Sequence, residues 1–383
     1  MTGGELWIRD FAQRLMPGGW GGILPAMRIL HHEAKGFRCL EQISFTPGPG
    51  LNLLRGNNAQ GKTSVLESVL YLATSKSHRT SNERELLKEG AESFHLKAEL
   101  QRSDREARIE ANWWKGQKRY RVNGVAQPRL SDIFGVMHVV FFSPEDIELV
   151  KGGASVRRLF LDMELSQIDP KYLHALQLYR NALRQRNELL RQHNPDRDLI
   201  AVWDVQLAQR GVALREQRTA FVEQLSVYAT ERHARIATGE ALALRYEPDV
   251  RPDEDYEALL KRLLPNDLKR QQTTRGVHRD DMAIEVGGQA ARAYGSQGQQ
   301  KTAALAVRLA ELELVRERTG EYPVLMLDEV LAELDAGRAR QLFLAISPEV
   351  QCLATTTQLS GAPAGFEGEC ASFRMEGGQL AAD

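Results

Sequence analysis

Three cysteines in 383 residues, Cys39, Cys352 and Cys370, lie far apart and form no Cys-x-x-Cys pair. That argues against a zinc site and against a disulfide framework, and suits a reducing cytoplasm. No run of about 18 apolar residues is present, so no transmembrane helix is expected. Charge of one sign is lacking as well. With 50 Lys+Arg against 51 Asp+Glu the net charge is −1, which excludes a globally basic binder. Any nucleic-acid surface must be a local patch. Internal repeats and low-complexity segments are absent too. What remains, 42% hydrophobic and 26% charged residues, is ordinary for a globular chain. At roughly 100–200 residues per domain the length allows two or three units.

The most informative stretch is Gly56-Asn57-Asn58-Ala59-Gln60-Gly61-Lys62-Thr63, which fits G-x-x-x-x-G-K-[ST]. An apolar run, Leu51-Asn52-Leu53-Leu54, precedes it and reads as a strand, and the residues behind it have helical spacing. Strand, glycine loop and helix are the setting this motif requires. The loop's N–H groups would wrap phosphates at a helix N-terminus. Lys62 would reach the β- and γ-phosphates of ATP, and Thr63 would ligate Mg²⁺. Far along the chain, Pro323-Val324-Leu325-Met326-Leu327-Asp328-Glu329 is an apolar strand ending in two acids, the Walker B pattern. It assigns Asp328 to the Mg²⁺ shell and Glu329 to the attacking water as catalytic base. Alone, such a run is often just a strand end; paired with the loop it marks the second half of one site.

Ser296-Gln297-Gly298-Gln299-Gln300 resembles the signature of ABC-type ATPases. A helix over 301–318 should follow it. In that class the helix N-terminus faces the γ-phosphate held by the opposite subunit, which would place Ser296, Gly298 and Gln299 in a composite cofactor site. The bland alternative is a polar loop with Ser296 as an ordinary N-cap. Leu331-Ala332-Glu333-Leu334-Asp335 resembles the D-loop of the same class; otherwise it is a helix start with acids favoured by the dipole.

Residues 27–72 read as strand, turn, strand, strand, loop and helix, and 93–142 as β-rich, with Asn123-Gly124 a hairpin signal. Over 155–245 the spacing turns helical. Leu176, Leu183 and Leu190 fall seven apart, His193-Asn194-Pro195-Asp196 breaks the pattern, and Ile200, Leu207, Leu214, Phe221 and Tyr228 resume it. Two antiparallel helices are expected, the first of about 20 residues and so about 30 Å long, a short arm. Residues 249–270 read as linker plus helix, and α/β character returns from 275. The fold class is α/β: an ABC-type P-loop ATPase head split in sequence, with a β-rich lobe and an inserted helical arm (lobe II). The expected division is 1–26 as an N-terminal extension or mis-assigned start, 27–150 and 271–383 as the two core halves, and 151–270 as the arm.

Several motifs together are similar to the RecF family. They are Ser296 to Thr302, Gly276-Val277-His278-Arg279-Asp280-Asp281, Ser143-Pro144-Glu145-Asp146 through Gly152, and Val156-Arg157-Arg158-Leu159-Phe160-Leu161-Asp162. The resemblance spans about residues 27–357. It implies an ATP-dependent DNA-binding protein of replication, recombinational gap repair and SOS induction, located in the cytoplasm. The implied protein forms an ATP-dependent homodimer, binds single-stranded, duplex and gapped DNA, helps load a recombinase, and works with RecR and RecO. It implies a weak DNA-stimulated ATPase acting as a switch. Two departures stand out. Val277 sits where the family commonly has Pro, and Thr355-Thr356-Thr357 ends the strand after Walker B where an ABC switch His is absent. The Q-loop glutamine has no obvious position. A transporter ATPase subunit or an SMC-type ATPase is the second reading, disfavoured by the missing His and the short arm. A monomeric P-loop kinase leaves the Ser296 segment unexplained.

Residues 111–131 hold no Asp or Glu but contain Lys115, Lys118, Arg119, Arg121 and Arg129 among Trp113, Trp114 and Tyr120, a candidate DNA patch. The alternative is an amphipathic hairpin with core Trp residues. Arg184, Arg186, Arg191 and Arg197 on the arm are a second candidate. His278, Arg279, Asp280 and Asp281 suggest a site-lining turn.

Overall fold

The computed structural model describes residues 26–237, 239–333, 336–357, 366 and 368–382. Residues 1–25 of the N-terminal stretch singled out above, and Leu334 and Asp335 of the D-loop-like segment, lie outside them.

A mainly parallel sheet organises the fold. Its order is β15 (Gln379–Ala382), β14 (Cys370–Glu376), β3 (Leu51–Arg55), β13 (Cys352–Thr356), β12 (Val324–Leu327) and β8 (Val139–Phe142). The five strands from β14 to β8 run parallel, and only β15 is antiparallel. β12 and β8 are buried at every position, as parallel strands covered on both faces must be. Strands far apart in sequence thus lie side by side: Leu53 pairs with Ala354, and Leu327 with both Ala354 and Phe142. Their carboxyl ends share one edge, where open α/β sheets bind ligands.

A second, antiparallel sheet has the order β2 (Leu40–Phe45), β1 (Arg28–Phe37), β4 (Ser93–Gln101), β5 (Glu106–Trp114), β6 (Gln117–Val122) and β7 (Val125–Gln127). Its strands alternate buried and open positions, most cleanly in β4 and β5. The buried face packs on helix α1 (Lys62–Thr74), where Phe37, Tyr71 and Phe94 meet edge to face or tilted. Trp113 and Tyr120 belong to this core; Trp113 stacks with Phe94, and the Tyr120 hydroxyl donates to the Tyr71 carbonyl at 3.0 Å. These two rings are therefore unavailable to DNA, and the hairpin alternative holds for them. Period-two alternation, invisible in a composition count, decided which rings faced inward.

The middle of the chain is helical: α2 (Ala154–Ile168), α3 (Pro170–Leu190) and α4 (Arg197–Ile236). Asp196 caps α4, accepting from the amides of Asp198 and Leu199 at 3.0 Å each. The break at 193–196 and the 21-residue α3 match expectation; the 40-residue α4, about 60 Å long, is longer than a short arm suggests. Leu176, Leu190, Ile200, Leu207, Leu214 and Phe221 are buried along the seam. Helical spacing was expected to run to 245, but Leu242–Glu247 is strand β9, paired with β10 (Asp281–Val286), which in turn pairs with β11 (Gln289–Ala290). Leu242 and Leu244 face the core and Ala243 and Arg245 do not, a two-residue period too short to stand out beside a 40-residue helix. The helix α5 (Tyr256–Arg270) follows.

One further expectation changes here. Arg186 is fully buried. Its guanidinium pairs with Asp204 at 2.5 Å and Asp267 at 2.7 Å, so it cannot contact DNA; Arg184, Arg191 and Arg197 are exposed. In the 276–281 turn, Val277 and Asp280 are buried and held from the interior, while Arg279 is exposed. Arg218 of α4 donates to Asp280 at 2.8 Å, Asp162 at 2.7 Å and the Val277 carbonyl at 2.7 Å. Arg157 holds Asp281 through both carboxylate oxygens, at 2.6 and 2.9 Å. Gly276 has φ 140°, and a Cβ there would collide with the hydroxyls of Tyr256 and Tyr179.

Candidate nucleotide site

The glycine loop leaves β3 and enters α1 at the carboxyl edge of the parallel sheet. Gly61, with φ 106°, caps α1; an added Cβ would lie 2.9 Å from the Cys39 sulfur, so only glycine fits this bend. The β14–β15 hairpin clasps the loop from the side, since Gly377 N–H donates to Gln60 Oε1 at 2.6 Å and Gly378 N–H to the Gln60 carbonyl at 3.1 Å.

Lys62 is 3% exposed. Its ammonium donates to the carbonyls of Gly56 at 2.8 Å and Asn57 at 2.9 Å, two acceptors that phosphate oxygens can replace. Burial lowers its pKa, while Glu329 and Asp328 act in the opposite direction. The Thr63 hydroxyl donates to Asp328 Oδ1 at 2.9 Å, which joins the loop to Walker B across 265 residues. The Asp328 amide donates to the Phe142 carbonyl at 2.8 Å. Burial raises the pKa of Asp328, partly offset by the Thr355 and Thr63 hydroxyls. Glu329 is exposed and adopts φ 55°, a left-handed conformation uncommon for a residue with a side chain and typical of functional sites.

Thr355 is a member of the site that sequence reasoning missed. Its hydroxyl donates to Asp328 Oδ1 at 2.8 Å and accepts from the Glu329 amide at 2.7 Å. It stands at the carboxyl end of β13, between the strands that carry the loop and Walker B. The available signal was positional, namely that every parallel strand ends at the site. Thr355→Val keeps the shape and strands the Glu329 amide, so a loss of about 1–3 kcal/mol is expected in urea unfolding.

Thr63 and Asp328 offer a hydroxyl and a single carboxylate. That donor set suits Mg²⁺, which binds one or two carboxylates and takes its remaining ligands from phosphates and water. Among the described residues no cluster of three or more His, Cys, Asp or Glu forms a metal cage.

Ser296 caps helix α6 (Gln297–Thr319), which opens four residues earlier than expected. Its hydroxyl accepts from the Gln299 amide at 3.2 Å, and the Gln299 side chain accepts from the Ser296 amide at 2.6 Å, a capping box. Gln299 also donates to Glu240 at 2.5 Å. Ser296 is exposed. Within one chain these residues bond to one another and to Glu240, so the capping alternative is satisfied as well.

Arg308 of α6 ties this helix to the sheet edge. It donates to Asp146 at 2.6 Å, Glu164 at 3.3 Å and Glu311 at 3.1 Å. Asp146 in turn accepts from the Ser143 amide at 2.7 Å, directly after the Phe142 that pairs with Asp328. Burial drives the Glu164 carboxyl up to about 7.

A parallel sheet carrying a glycine loop and a Walker B acid joined by one hydrogen bond, with an antiparallel sheet on one side and an inserted helical lobe, defines an ABC-type P-loop ATPase head. The chain matches the RecF/RecN/SMC N-terminal domain family over residues 28–359. The "DNA replication and repair protein RecF" of Lachnoclostridium phytofermentans is 42% identical over 332 residues, 85% of this chain and 92% of that one. That of Halalkalibacterium halodurans is 38% identical over 369 residues, 92% and 99% of the two chains. A solved structure of the recombination mediator protein RecF with ATP, in the RecFOR pathway, superposes with a TM-score of 0.88 at 33% identity, covering 95% of this chain and 100% of that one. An Smc head domain from Pyrococcus furiosus shares the fold, with a TM-score of 0.56 at 17% identity over 93% and 96% of the chains. The chain belongs to the RecF family.

Proposed function

We propose that this protein is an ATP-switched DNA-binding protein of replication and recombinational repair. The observation that carries the reading is the bond between Thr63 and Asp328, which brings loop and Walker B into one site. The RecF structure solved with ATP supports the ligand. Residues 56–63 bind the phosphates, Thr63 and Asp328 hold Mg²⁺, and Glu329 accepts the proton of the attacking water. When bound, Mg²⁺ neutralises charge on the phosphates. Two subunits associate head to tail, with Ser296, Gly298 and Gln299 of each facing the other's loop. Slow hydrolysis, stimulated by DNA, releases them. The dimer binds single-stranded, duplex or gapped DNA in gap repair and SOS induction and works in the cytoplasm with RecR and RecO to load a recombinase. Residues 27–150 and 271–383 act as the two halves of the ATPase core and 151–270 as lobe II. Among the described residues no helix is long and apolar enough to cross a membrane.

Sizing by light scattering with and without ATP and Mg²⁺ tests this reading: a mass that doubles only with ATP is expected, and a monomer under both conditions rejects the switch. Glu329→Gln removes the base and leaves the phosphate contacts. It is expected to keep ATP affinity, to slow hydrolysis by about 10²–10⁴-fold, and to hold the dimer. Wild-type turnover in this variant moves the base elsewhere.

A further inference from the structure

The outward face of the antiparallel sheet has a charge pattern that composition conceals. Where β2, β1, β4, β5 and β6 lie side by side, Gln42, Lys35, His95, Asn112 and Arg119 stand in register across five strands. This row contains no carboxylate. At about 4.8 Å between strands it runs for about 19 Å. The next row, two residues along, is Ser44, Glu33, Lys97, Glu110 and Arg121. There the acids are engaged: Lys97 pairs with Glu33 at 3.1 Å and Glu99 at 2.9 Å, and Arg108 with Glu110 at 3.0 Å. Lys35, Lys115, Arg119 and Arg121 pair with no carboxylate among the described residues. By contrast, Lys118 is held by Glu83 and by the Tyr71 ring and is not free to act.

In the row next to the acid-free one, two residues beyond Asn112 on the same face, Trp114 pairs with Ser93 and with Gln117 across the β5–β6 turn. Trp114 is 49% exposed, whereas its neighbour Trp113 is 4% exposed. The Lys115 ammonium lies 4.8 Å from the Trp114 ring centre, on the ring face. A large aromatic ring left open at the rim of a basic row, with its own cation beside it, is a stacking platform next to a phosphate track.

We infer that this face binds single-stranded nucleic acid, with the backbone along the Lys35–Arg119 row and an unpaired base on Trp114. This deepens the DNA reading proposed above by assigning it a surface and a strand state. Charge complementarity supplies the backbone contacts, and Trp114 supplies the preference for unpaired bases, because a paired base presents no free face. The row lies on the face opposite α1, so occupation does not block the glycine loop's helix.

The test is fluorescence anisotropy of a labelled oligo-dT of about 20 nucleotides, and of a blunt duplex of equal length, with the full chain across a salt series. Trp114→Ala is expected to weaken single-strand binding about 5- to 100-fold and to leave the blunt duplex within about twofold. The Lys35→Glu, Arg119→Glu double variant is expected to flatten the single-strand salt dependence by about 1.4, two phosphates' worth. Thermal melts and ATP affinity should match wild type, since all three side chains lie on the open face. Unchanged single-strand affinity in both variants overturns the inference. Equal loss on blunt duplex in Trp114→Ala does too, as does a wild-type chain that binds no oligonucleotide. Failure to bind ATP or to dimerise, with these DNA losses intact, rejects the switch and leaves this face standing.

Discussion

Lys62→Ala is expected to lower ATP affinity at least about 100-fold and to leave the fold in place. The ammonium now spends its donors on the Gly56 and Asn57 carbonyls at 2.8 and 2.9 Å. With ATP bound it would turn to phosphate oxygens. Hydrogen bonds to charged groups contribute about 1.5–3 kcal/mol each, so losing two costs about 3–6 kcal/mol, and every 1.4 kcal/mol is about tenfold in affinity. Stability should move little, because Gly56 is half-buried and Asn57 exposed, so water can replace the lost donors. Arginine is not a substitute, since its planar fork does not reproduce a point charge in a loop this tight. Isothermal titration with ATP and Mg²⁺, run beside a thermal melt, checks both halves. Retained affinity in a folded variant rejects the loop as the phosphate site.

Ser296→Arg is expected to abolish ATP-dependent dimerisation while leaving monomeric ATP binding intact. Residues 56–63 and Asp328 are complete within one chain, whereas the Ser296 hydroxyl is engaged only as a cap, by the Gln299 amide of its own helix. If it faces a partner's γ-phosphate, a bulky side chain at that N-terminus blocks the approach of the two heads. Dimerisation, hydrolysis and ATP-enhanced DNA binding should then fall together. The capping role predicts something smaller, about 0.5–2 kcal/mol of stability. Because Ser296 is exposed, arginine fits the monomer without a clash. Light scattering with ATP distinguishes the two: a variant that is destabilised yet dimerises normally rejects the composite site.

Arg308 adds a physical link between these two predictions. It fastens α6, the helix that begins at Ser296, to Asp146 at the end of β8, beside the Asp328 strand. Glu311, three residues on in the same helix, is a local partner. Asp146, just past β8, and Glu164 of α2 come from elements remote in sequence and reach Arg308 only when these are packed against α6.

The sequence by itself determined the parts of this protein whose physics is local. Residues 56–63 must bend as a phosphate loop, since Gly61 occupies a backbone region that side chains avoid. The apolar run before Asp328 must be a buried strand, His193 to Asp196 must break the helical run, and Ser296 is suited to cap a helix. Local order within the chain also exposed the family resemblance. Tertiary structure decided whatever depended on neighbours remote in sequence. It placed Thr355 between Asp328 and Glu329, because three parallel strands end at one edge. It withdrew Arg186 from the surface by surrounding it with Asp204 and Asp267, and drew the 276–281 turn inward onto Arg218. It sent Trp113 into the core and left Trp114 in solvent, since adjacent residues of a strand face opposite sides and only the packing of α1 fixes which side is dry.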